Sequence, residues 1–184
     1  MTKFILLDRD GVINRRMPGG YVTSWNCFRF LPGAFDALRL LAVADYKTIV
    51  ISNQPAVGKG LMTHEQLAGI TAHFTQAVEN HGGRIDGVYY CTHRSDEGCD
   101  CRKPKPGLLL QARREWGFEF GDTFFIGDSE ADELAARRTG CHFVLVNHGP
   151  SEIINHAHVP RITARSLLEA VRFVLRAEVA STAR

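Results

Sequence analysis

Asp8 and Asp10 stand two residues apart in Asp8-Arg9-Asp10-Gly11, directly after the apolar run Phe4-Ile5-Leu6-Leu7. Two carboxylates at a strand end can divide one reaction between them. One attacks as a nucleophile, and the other donates and accepts protons if its surroundings raise its pKa. Gly11 permits close backbone approach to a ligand. Taken alone, the pair describes a charged loop equally well. Three later segments add what phosphoryl transfer requires. Ser52-Asn53 offers a hydroxyl and backbone N–H groups to an anion, and Arg102-Lys103 supplies fixed positive charge. Asp128, after Gly127, offers oxygen to a hard cation. Nucleophile, acid/base, metal ligand and cations are the parts of a phosphoryl-transfer centre.

A second constellation lies between these segments. Cys91-Thr92-His93 and Cys99-Asp100-Cys101 put three thiols and one imidazole within eleven residues. Cys₃His is a complete tetrahedral set with no open position, which is the pattern of structural zinc. Cys101 directly precedes Arg102-Lys103, so a pinned loop would hold those cations in place. The loop between the ligands, Arg94 to Gly98, is polar and of mixed charge, which argues against an interaction module built on the metal. Cys27 and Cys141 have no such neighbours and read as ordinary thiols.

The elements that must position these groups alternate. Phe4–Leu7, Thr48–Ser52, Val88–Tyr90, Thr123–Ile126 and His142–Val146 read as strands. Between them lie helical patterns: one after Pro32-Gly33, one opened by the capping box Thr63–Gln66, one from Pro106 to Gly117, and one that Ser129 caps and Gly140 ends. A last helix follows Ser166–Glu169 and carries Leu168, Val171, Leu175 and Val179 on one side. The alternation predicts an α/β fold, a Rossmann-like parallel sheet with helices on both faces and ligands at the carboxyl ends of the strands. With 184 residues, the expectation is one domain over residues 1–184, with the loop 91–101 inserted.

Composition excludes several classes. Net charge is +2, so no nucleic-acid-binding surface is indicated. No apolar run approaches the ~20 residues that span a membrane, and the N-terminus lacks a secretory pattern. Five cysteines, an odd number, argue against a disulfide framework. The expectation is a cytoplasmic monomer that binds no nucleic acid and no membrane.

The segments DRDGVIN, ISNQ, CRKPKPG and GDSEAD, in this order, resemble the four motifs of the haloacid dehalogenase superfamily of phosphatases. The resemblance covers Phe4 to about Val146. It implies Asp8 as nucleophile and Asp10 as general acid/base, with Ser52 binding the phosphoryl group. Lys103, helped by Arg102, would neutralise it. Catalytic Mg²⁺ would be held by the Asp8 carboxylate, the Asp10 backbone carbonyl and Asp128, with Asp132 supporting the site. The pattern C-x-H…C-x-C-R-K-P resembles the branch of heptose bisphosphate and histidinol-phosphate phosphatases. That branch implies a capless enzyme with structural Zn²⁺ on Cys91, His93, Cys99 and Cys101. Its substrate is a small phosphorylated metabolite, with a heptose 1,7-bisphosphate first and histidinol phosphate as the alternative. Loops Arg15–Tyr21 and Asn53–Lys59 would shape the substrate site, and Arg9, Gly20, Tyr21, Asn53, Gln54, Lys59 and Ser129 are its candidate substrate-binding residues. Ser52, Pro55, Lys59 and Ser129 depart from the heptose pattern, all at the substrate end.

Overall fold

The fold is seen in a computed structural model, which describes residues 2–148 and 162–182. Six strands form one wholly parallel sheet: β1 (Lys3–Leu7), β2 (Tyr46–Asn53), β3 (Gly87–Cys91), β4 (Phe124–Gly127), β5 (His142–Val146) and β6 (Ile162–Ala164). Their order across the sheet is β3-β2-β1-β4-β5-β6. The helices are α1 (Ala34–Val43), α2 (His64–Asn80), α3 (Gly107–Trp116), α4 (Glu130–Thr139) and α5 (Leu167–Thr182).

Side chains alternate across a strand, so β1 feeds two cores. Ile5 and Leu7 join the layer that takes Leu38 and Leu41 of α1, Ile70 and Phe74 of α2, and Val171 and Val174 of α5. Leu6 faces the other layer, with Leu108 and Ala112 of α3 and Ala135 and Ala136 of α4. Helices therefore cover both faces. The central strands are apolar throughout because no face of them meets water. The sheet reverses direction of winding between β1 and β4, and the crevice at their carboxyl ends is where a ligand can reach the backbone.

The five expected strands are present, each within two residues of its expected ends. β6 has only three residues and was not expected. α2 starts at the Thr63–Gln66 capping box, and Gly117 and Gly140 close α3 and α4 in the left-handed conformation. α5 presents a different stripe from the expected one. Leu167, Ala170, Val171 and Val174 are buried, while Leu168 and Leu175 pack at the margin. Val179 lies outside the residues whose side chains are described. Among the described residues, no helix is long and apolar enough to cross a membrane.

Candidate active site

Asp8 emerges from β1 with its backbone N–H donated to Ile126 O of β4 at 2.9 Å. Lys103 reaches it from the segment after the Cys–His loop. Its Nζ lies 2.9 Å from Asp8 Oδ1 and 2.5 Å from Asp132 Oδ1, and it donates to Ile51 O at 2.7 Å. Burial alone would lower the pKa of this lysine. The two carboxylates outweigh burial and hold its pKa above the ordinary lysine value, so Nζ is a fixed cation. Asp132 is rigid because it is part of the α4 cap. Its Oδ2 accepts from Ser129 Oγ at 2.5 Å, Ser129 N at 3.1 Å and Asp128 N at 3.3 Å. Gly127 makes room for it, since a Cβ there would meet Asp132 Cβ at 2.4 Å.

Carboxylate oxygens of Asp8, Asp128 and Asp132 lie within 4.8 Å of one another. Burial, then the neighbouring acids Asp132, Asp128 and Asp10, push Asp8 up to about 7, with Lys103 opposing. Burial also raises Asp128, with Arg16 opposing. This group is short of positive charge, and its all-oxygen donors fit a hard divalent cation. Asp132 is also engaged with Lys103 and the α4 cap. Asp128 has a further partner that the motifs did not reveal. Arg16 binds it bidentately, with Nε 2.6 Å from Oδ2 and Nη2 2.5 Å from Oδ1. Gly11 is required beside it: at φ +89° a Cβ would fall 1.7 Å from Asp128 Oδ2.

Above these groups opens a pocket of about 350 Å³, within the range of small-molecule sites. Its walls include Asp8, Asp10, Ser52, Lys103 and Arg102. Gly20, Tyr21, Asn53, Gln54 and Ser129 of the expected substrate residues also line it, together with Arg16, Met17, Val22 and Ala131. Two expected contacts are corrected. Arg9 is fully buried beneath the pocket, its guanidinium between the rings of Phe28 and Tyr90. Lys59 is not on the wall. It donates to Tyr21 Oη at 2.8 Å, and that ring does line the pocket. The polar groups of Asn53 and Gln54 are also turned to the protein. Asn53 exchanges two hydrogen bonds with the Lys103 backbone, 3.0 and 3.1 Å, and so docks the Arg102-Lys103 segment onto β2. Gln54 N donates to Cys91 O at 2.7 Å, which removes it as an anion donor.

Asp10 lies in a different field from Asp8. Burial pushes its carboxyl up, but the charge of Arg9 and hydrogen bonds from Asn14, Gln54 and Arg9 outweigh it, and the group ends below its ordinary value. The condition set for a proton donor, surroundings that raise the pKa, is not met in the resting site, because the nearest charge is a guanidinium. His148, just past β5, contacts Gly11 O through Nε2 at 2.8 Å. No motif pointed to it.

The thiol–imidazole cluster forms as expected. Cys91, Cys99 and Cys101 Sγ atoms are 3.2–3.6 Å apart, and His93 Nδ1 lies 3.2 Å from Cys101 Sγ and 3.7 Å from Cys91 Sγ. A tetrahedron with metal–sulfur bonds of ~2.3 Å has edges of about 3.8 Å, so the four atoms fit around one ion of zinc size. Arg102 Nη1 sits 3.4 Å from His93 O, which ties the cluster to the pocket wall.

Comparison with known proteins agrees with this geometry. Residues 100–170 match the HAD-hydrolase-like family. The D-glycero-beta-D-manno-heptose-1,7-bisphosphate 7-phosphatase of Pasteurella multocida is 36% identical over 143 residues, covering 74% of this chain and 77% of that protein. That of Pseudomonas putida is 35% identical over 161 residues, covering 88% and 91%. Among solved structures, a D,D-heptose 1,7-bisphosphate phosphatase from B. bronchiseptica, complexed with magnesium and phosphate, superposes with a TM-score of 0.89 at 30% identity, covering 96% of this chain and 99% of that one. With its nucleophile-type carboxylate, buried lysine and acidic cluster at the carboxyl ends of a parallel sheet, this chain belongs to the haloacid dehalogenase-like phosphatases.

Proposed function

We propose that this phosphatase hydrolyses the 7-phosphate of D-glycero-β-D-manno-heptose 1,7-bisphosphate through an aspartyl-phosphate on Asp8. The observation that carries the substrate is that relatives covering three quarters or more of their own length bear that activity in their names. The pocket geometry supports the chemistry. An Asp8 oxygen attacks phosphorus as the bond to the sugar oxygen breaks, and Asp10 delivers a proton to that oxygen. Asp10 then takes a proton from water, the water oxygen attacks phosphorus, and the bond to Asp8 breaks to release phosphate. Asp10 is ionised in its resting field, and an arriving phosphate dianion raises its pKa toward the protonated form that the first step uses. Ser52 and Lys103 hold the phosphoryl oxygens, and Arg102 extends that positive wall. Arg16, Gly20, Tyr21 and Ser129 face the rest of the sugar phosphate.

Mg²⁺ held by the Asp8 carboxylate, the Asp10 carbonyl and Asp128 would supply positive charge to the phosphoryl oxygens. Zn²⁺ on Cys91, His93, Cys99 and Cys101 would fix the loop that carries Arg102 and Lys103. In this reading the enzyme works as a monomer, a single domain with the loop inserted, on a small metabolite.

Asp8→Asn should abolish turnover while the protein stays folded, and retained activity would remove Asp8 as nucleophile. For the substrate, kcat/KM for the heptose bisphosphate should exceed that for histidinol phosphate by at least about tenfold, a differential of ~1.4 kcal/mol in transition-state binding. The reverse order would overturn the substrate assignment and leave the chemistry.

A further inference from the structure

Asp10 is gripped from three directions. Its Oδ1 accepts from Asn14 Nδ2 at 2.8 Å and Arg9 Nη2 at 3.1 Å. Its Oδ2 accepts from Gln54 Nε2 at 2.6 Å and Arg9 Nη2 at 3.0 Å. Arg9 Nη2 also donates to Gln54 Oε1 at 3.0 Å, and Gln54 Nε2 reaches Ser52 Oγ at 3.1 Å. The guanidinium carbon lies 5.9 Å from the Phe28 ring centre and 5.7 Å from that of Tyr90, which fixes its plane. Among the described residues, Asp10 is the one carboxylate within ion-pair distance of Arg9.

This arrangement is expensive to build. A charge with no exposure to water is tolerated only where its partners are well placed. Arg9 does not line the pocket, and the Gln54 amide is taken up by Arg9, Asp10 and Ser52, so substrate binding does not account for them. What both touch is Asp10, and Gln54 couples Asp10 to Ser52. A general acid helps only when its proton is aimed at the leaving oxygen, and misplacement by an ångström costs orders of magnitude.

We infer that Arg9 and Gln54 are positioning residues for Asp10: they lock its carboxylate in direction and hold it in register with the Ser52 hydroxyl. The inference rests on the role proposed above for Asp10 as general acid/base. It has a consequence that a merely structural role lacks. The damage from loosening the clamp depends on how much proton help the leaving group needs. A nitrophenolate departs without a proton. The primary alkoxide of a sugar or histidinol does not.

The test is single-turnover phosphorylation of Asp8 in Gln54→Leu and Arg9→Lys, each with 4-nitrophenyl phosphate and with the preferred of the two alkyl esters above. Arg9→Lys keeps the charge but loses the Nη2 donor that spans both Asp10 oxygens and Gln54 Oε1, and it carries the test alone if Gln54→Leu does not fold. We expect phosphorylation by the alkyl ester to fall about 10²-fold, within the range of general acid catalysis. The nitrophenyl ester should lose at least about tenfold less than the alkyl ester, because only the alkoxide needs the aimed proton. Equal losses for both esters, or no loss for either, overturn the clamp. Asp10→Asn separates the two levels. If it shows the asymmetry and the clamp variants do not, only the clamp fails. If it too is symmetric, the acid/base role of Asp10 fails with it.

Discussion

Two clusters of ionisable groups lie one short segment apart and are held by opposite means. At the end of β1, Asp8, Asp132 and Lys103 are almost fully buried, and each is tied to a strand or a helix cap. In the Cys–His cluster, Cys91 alone is fully buried, at the end of β3, while His93, Cys99 and Cys101 stand on a partly exposed loop. The first site is positioned by the core of the protein. The second enters the core through Cys91, with Cys99 and Cys101 packed at the margin, and the rest of its loop would take its order from an ion. Preorganised charge can be obtained from packing or from a metal, and the two clusters are joined through Cys101-Arg102-Lys103. Asn53 stitches that joint to β2.

The sharpest way to break the comparison is Lys103→Met. It leaves Asp8 and Asp132 facing each other in the interior without a counter-charge, and removing one partner of a buried pair costs about 3–5 kcal/mol. Urea unfolding should show a loss of that size, and kcat should fall by at least about 10². An unchanged unfolding midpoint would mean that the core does not depend on this lysine.

Cys101→Ser should do the reverse. Loss of a group that merely supports a metal ligand costs about 10- to 100-fold in metal affinity or activity, and loss of a ligand should cost at least as much. Turnover should fall by at least that order while the sheet unfolds at nearly the same denaturant concentration, since Cys101 is only partly buried at the margin of its core. A large loss of global stability would show that the loop is part of the core. Metal content of the purified variant, measured by mass spectrometry, checks that the ion is what was lost.

The smallest effect belongs to Arg16→Ala. Its side chain is half-exposed, and such pairs contribute up to about 1 kcal/mol. A cation that uses Asp128 has to displace Arg16, so its removal should tighten Mg²⁺ binding by up to about fivefold. Titration calorimetry reads this directly. Weaker binding would show that Arg16 helps rather than competes.

Much of this was legible before the fold was known, and the reason differs by element. β1, β2, β4 and β5 announced themselves because buried parallel strands are continuous apolar runs cut off by polar residues. The cap at Ser129 could be read because capping is local chemistry over three residues. β6 could not, since three residues carry no period. Arg9 was misread for a related reason. A charged residue between two carboxylates looks exposed, and nothing local reveals that Phe28 and Tyr90 close over it. The pKa order of the two aspartates also depended on neighbours far along the chain.

By itself the sequence determined the chemistry available at each strand end: Asp8, Asp10, Ser52, Lys103 and Asp128 for phosphoryl transfer, and Cys91, His93, Cys99 and Cys101 for a tetrahedral ion. These are matters of residue type and spacing, which local order preserves. Only the tertiary structure decided which groups oppose one another. Arg16 meets Asp128 across 112 positions, Lys103 meets Ile51 across 52, and Gln54 meets Asp10 across 44. Electrostatic fields and hydrogen bonds act through space, and the sheet brings those distances down to about 3 Å.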